Sequence, residues 1–177
     1  MNWILKIKHW LIFLLLFPFM IMASIEFGEN TGNLYLINLV GIIIILFWSF
    51  ILTEELIKIV PKEYNLKTNF YYFNAVLTLV TIIFISIIYE GEEAELSGIY
   101  ALIGMYFFYA YLQSFGFAGR IIKSMELNRK SKKRESIGYF FLFALFPIGI
   151  WFLQPKINKL NQKIMNEKKP TANTVYN

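Results

Sequence analysis

Long uncharged runs alternate with short charged segments along this chain, and the runs have the length of helices that cross a bilayer. Leu34 to Thr53 holds no charged residue over 20 positions. As a helix rising about 1.5 Å per residue it is roughly 30 Å long, the thickness of the hydrocarbon core. Phe70 to Tyr89 is a second such run and Ile99 to Gly119 a third. An earlier run, Ile4 to Ile25, is interrupted by Lys6, Lys8 and His9. It is compatible with a signal peptide ending at Ala23. That reading lacks a small residue two positions earlier, and Pro18 suits a kinked helix, so a retained first helix is expected. The pattern therefore predicts an all-α, polytopic transmembrane bundle with four spanning helices, over 4–25, 34–53, 70–89 and 99–119.

A fifth apolar run, Ile137 to Leu153, contains Pro147 and Gly149 and is closed by Pro155. At 17 residues it is marginal for spanning. It is compatible with a kinked span, a re-entrant bend or an interfacial segment. Trp151 is placed to anchor it at an interface. The whole stretch Phe146 to Asn158 is more ordered than a chain terminus needs, and Pro147, Gly149, Trp151 and Pro155 are its candidate structural residues. Beyond it, Ile157, Leu160 and Ile164 recur at i, i+3 and i+7 beside Lys156, Lys159 and Lys163. That spacing predicts a basic amphipathic helix over 154–166 lying on the inner leaflet. A disordered tail is expected over 167–177.

Charge orients the bundle. Connections 26–33 and 90–98 carry six Glu and no base, whereas all 17 Lys and Arg lie elsewhere. Because basic residues are retained on the cytoplasmic side, the N-terminus is expected inside. A tail that returned to the same side would place every base inside, so a cytoplasmic C-terminus is favoured. The scarcity of Arg beside abundant Ile, Lys and Asn fits an AT-rich bacterial genome and the bacterial cytoplasmic (inner) membrane.

Composition narrows the chemistry. Of 177 residues 57% are hydrophobic, leaving no room for a soluble domain. There is no Cys, no Asp and a single His, which excludes disulfides, thiolate metal sites, Asp-based metal motifs and bis-His haem. No cofactor, metal or catalytic residue is implied. No charged side chain lies within Trp10 to Ile25 or within the other three predicted spans, which weighs against ion-coupled transport.

Three groups of residues remain as candidates. Arg129, Lys130, Lys132, Lys133 and Arg134 follow the fourth span. They are expected to contact anionic inner-leaflet lipid head groups, and without interleaved aromatics they are a poor nucleic-acid surface. Asn74, Thr78 and Thr81 share a face of the third span, and Ala110, Ser114 and Ala118 form a small-residue seam on the fourth. These six are expected to serve helix packing or, alternatively, to line a pore. The acidic turn after Tyr89 reads as a solvated loop, with a cation-attracting vestibule as its functional alternative. Glu54 and Glu55 are the only paired carboxylates near a predicted inner surface. The sequence thus points to a non-catalytic subunit, scaffold or assembly partner in a membrane complex, partnered by lipid and by itself or another membrane protein. A homo-oligomeric channel and a lipid-acting enzyme are the alternatives.

Overall fold

A computed structural model describes residues 3–24, 35–88, 98–145 and 148–167. All its regular elements are helical. A 3-10 turn, Trp3–Leu5, precedes α1 (His9–Ser24), α2 (Tyr35–Ile59), α3 (Thr68–Ile88), α4 (Ile99–Leu127), α5 (Ile137–Ala144) and α6 (Ile148–Glu167). Three of these, α2, α3 and the Ala101–Leu127 part of α4, are long and apolar enough to cross a membrane. On α4, Leu102, Met105 and Phe108 are each more than 60% exposed, an outward face that only an apolar surrounding would tolerate.

The first predicted span is shorter than its apolar run. The chain breaks around Lys6 to Lys8, and α1 covers 16 residues, about 24 Å. It packs along α2 through Gly41, where an added Cβ would lie 2.5 Å from the Phe19 carbonyl oxygen and 2.7 Å from the Ala23 nitrogen. The second helix runs six residues past Thr53, and the fourth runs eight past Gly119. Both overruns carry the charged ends of otherwise apolar helices.

The fifth apolar run is the main departure. It is not one segment followed by a surface helix over 154–166. It is a hairpin of two helices, α5 and α6, that pack against each other. The antiparallel sense follows from two contacts. Gly149 sits against the Leu142 backbone, and farther along α6 the Lys156 ammonium reaches the hydroxyl of Tyr139, earlier in α5. Pro155 does not close the run; it lies inside α6. Proline removes one backbone donor and crowds the carbonyl four residues back, at a cost of about 3 kcal/mol. Here the flanking face offsets that cost, because Ile150, Leu153, Gln154, Ile157 and Asn161 are all buried.

The apolar face of α6 therefore packs on protein. Ile157 is fully buried, and Leu160 and Ile164 pack against the core. Two side chains pin this helix to the start of the chain. Gln154 Nε2 donates to the Ile4 carbonyl at 2.8 Å, and Asn158 Nδ2 donates to the Ile7 carbonyl at 3.1 Å. The α5 limb packs on α4, where a Cβ at Gly119 would meet the Tyr139 Cβ at 2.9 Å and Phe143 stacks on Phe115. The tail expected over 167–177 falls, apart from Glu167 at the end of α6, outside the described residues.

Candidate functional site

The candidate residues of α3 and α4 face inward. Asn74, Thr78, Thr81, Ala110 and Ala118 are buried, and Ser114 is partly buried. Asn74 Nδ2 donates to Gln113 Oε1 at 3.1 Å, and the Tyr106 hydroxyl donates to Asn74 Oδ1 at 3.3 Å. Thr78 and Ser114 return their hydroxyl protons to the Asn74 and Ala110 carbonyls. These groups are used within the chain, in α3–α4 packing and local helix bonds. Glu55 is paired with Lys58 at 2.5 Å, and Glu54 faces the Tyr72 hydroxyl. Neither carboxylate is joined to the basic loop.

That loop is held in one shape. Asn128 ends α4 in the left-handed conformation, at φ 50°. The buried Ser131 then clasps the helix end: its N–H donates to Ser124 Oγ at 3.0 Å and its hydroxyl to the Arg120 carbonyl at 3.1 Å. Arg129 grips Glu135 with two nitrogens, at 2.7 and 3.2 Å, and the Lys132 N–H donates to the same carboxylate at 2.7 Å. The guanidinium bond and then the Lys132 N–H hold the Glu135 carboxyl down at about 2, and the carboxylate in turn raises Arg129. So Arg129 is engaged, Lys132 and Arg134 are exposed, and Lys130 donates to the Asn65 carbonyl at 2.7 Å.

Lys130 and Lys133 do more than decorate the surface. They line a groove of about 1180 Å³ between the start of α3, the outer side of α4 and the start of α5. Lys67 and Arg120 join them. Sequence reading missed both, because they come from other segments and neither belongs to a charge cluster. Below these cations the wall turns apolar, with Phe70, Leu112, Ile137 and Phe140.

A second polar cluster ties the hairpin to α4. Glu126 accepts from the Tyr139 hydroxyl, from Lys123 at 3.1 Å and from Lys156 at 3.3 Å. The Lys156 ammonium also lies 4.8 Å from the Tyr139 ring centre. Of the four candidate structural residues, Gly149 makes the tight turn-side contact and Trp151 packs on His9 and Phe13, with ring centres 4.7 and 5.9 Å away. Pro155 sits within α6, and Pro147 lies outside the described residues. The acidic turn after Tyr89 also lies outside them. Gln154 and Asn158 were not singled out from sequence. Their signal was their place inside the Phe146–Asn158 stretch.

Fold and composition together define a class: an all-helical protein with three helices able to cross a membrane. Comparison with models of known families, with curated proteins and with solved structures finds no match.

Proposed function

We propose that this chain is a non-catalytic subunit, scaffold or assembly partner of a larger complex in the bacterial cytoplasmic membrane. In this reading α1 is a fourth crossing, the α5–α6 hairpin is re-entrant, and both termini are cytoplasmic. One observation carries it: the construction of one end of the bundle. There the start of the chain, the 60–67 connection, the 128–136 loop and α6 are bonded to one another by Gln154, Asn158, Lys130 and Lys163. Segments that merely emerge from a membrane need no such bonding. A preformed, strongly basic end is what docking to a partner or to the inner leaflet requires, because ordering costs are met before contact.

The test is purification of the tagged full chain in mild detergent, followed by mass measurement of the intact complex. A second membrane protein in fixed ratio is the expected result. A lone chain, with no partner at any detergent strength, would remove the reading. A self-assembled ring that passes ions in liposomes would replace it with the channel.

A further inference from the structure

The groove beside Arg120 has two halves of different chemistry, and together they describe a ligand. Its upper rim brings Lys67, Arg120, Lys130 and Lys133 together, and no carboxylate lines it among the described residues. Like charges gathered at one spot repel unless an anion joins them. Two of the four have no side-chain partner among the described residues. The Lys67 and Lys133 ammonium groups are exposed and make no hydrogen bond among the described residues, and the Arg120 Nε is buried without one. The Arg120 Nη2 has only a 3.4 Å bond to the Ser131 carbonyl. Beside them lies the first turn of α3, where the Asn69 and Phe70 N–H groups have no carbonyl within their own helix, while that of Thr68 donates to the Leu66 carbonyl at 2.9 Å.

From the rim the groove descends along one stripe of α4: Arg120, Gly116, Gln113, Tyr109. Eleven residues of helix correspond to about 16 Å, close to the roughly 15 Å depth of one leaflet. The floor is open because position 116 has no side chain. A Cβ there would approach only Phe140, at an ordinary 3.8 Å. The volume of about 1180 Å³ exceeds the roughly 300–1,000 Å³ of common small-molecule sites.

We infer that this groove is a binding site for one anionic phospholipid of the inner leaflet, phosphate at the Lys67–Arg120–Lys130–Lys133 rim and an acyl chain along Phe70, Leu112 and Phe140. Charge complementarity selects the head group, and the leaflet-deep apolar wall selects a lipid over a free anion. A chain lying anywhere on the apolar belt would need neither feature. The inference rests on the proposed orientation, with the basic end at the inner leaflet, and it stands or falls apart from any protein partner.

The test is native mass spectrometry of the full chain with equal amounts of phosphatidylglycerol and phosphatidylcholine of matched chains. One phosphatidylglycerol should be retained per chain. The Lys67→Gln/Lys133→Gln pair should weaken retention roughly thirtyfold, from the usual worth of two surface cations. Gly116→Leu should abolish it by filling the floor while helix content and melting stay unchanged. Should that variant fold poorly, the lysine pair decides alone against Lys62→Gln/Lys159→Gln, which removes the same charge away from the groove. Equal retention of both lipids would overturn the site, as would equal loss in the control pair. So would full displacement of the lipid by inorganic phosphate, or unchanged retention in a folded Gly116→Leu chain.

Discussion

Gln154 has 1% of its surface exposed and holds a carbonyl 150 residues away in the chain. Replacing it by Leu keeps the volume but strands the Ile4 carbonyl in a buried place. A buried acceptor left unmade costs about 1–3 kcal/mol, so Gln154→Leu should lower the melting temperature in detergent, and Gln154→Glu, which has no such donor when ionised, should not rescue it. A melting curve unmoved by Gln154→Leu would remove the pin. The Arg129–Glu135 clasp makes a different prediction, in pH. Its carboxyl is held below the ordinary value, so the clasp contributes from above pH 4.5 and is lost only as pH falls through about 2. Carbon-detected NMR of the Glu135 carboxyl should therefore show no titration at pH 4; a midpoint near 4.5 would mean the clasp is open in solution. Residues of these two kinds differ in legibility. Asn74, Thr78 and Thr81 were readable because helical periodicity puts them on one face, and they are buried. Gln154, Asn158, Lys67 and Arg120 were not, because their meaning lies in carbonyls and cations from distant segments.

The hairpin is the element whose prediction is sharpest, because two glycines of it stand in opposite surroundings. A Cβ at Gly149 would collide with the Leu142 oxygen, which is backbone and cannot step aside. A Cβ at Gly138, on the same hairpin, meets nothing within 4 Å. Gly149→Ala should force α5 and α6 apart and destabilise the chain by several kcal/mol, of order 2–4 from overpacking and lost burial. Gly138→Ala should be neutral or stabilising by about 0.5–1 kcal/mol, since it only removes backbone freedom in a helix. Equal melting of the two variants would show that the limbs are not in contact. Element lengths explain what sequence could and could not supply. The three long uncharged runs were readable because bilayer thickness sets their length. The separation of α5 from α6 agrees with a bend at Pro147 and Gly149, but Pro155 suggested an end that the structure does not have. A proline ends a helix only when tertiary contacts fail to hold its flanks, and here Gln154 and Ile157 hold them.

At the scale of the whole molecule, the question is which end each segment occupies, and it reduces to the direction of α6. A crossing α6 would carry its C-terminal half away from the end of α4. Instead Lys156 reaches Glu126, and Lys163 lies 3.3 Å from Asn128 Oδ1, just past the end of α4. Lys130 ties that same end to Asn65, between α2 and α3. The charge asymmetry of the sequence points the same way, since a returning α6 leaves every base on one side. Absence of cysteine makes the proposed topology directly measurable, because a single introduced thiol has no background. Lys62→Cys and Gln162→Cys, both at exposed positions, should resist a membrane-impermeant maleimide in intact cells and react after permeabilisation. Glu92→Cys, in the acidic connection between α3 and α4, should react in intact cells. Labelling of Gln162→Cys together with Glu92→Cys would mean that α6 crosses. It would also separate α6 from Ile4, Ile7 and Asn128, and with them the basic end on which the proposed docking role depends.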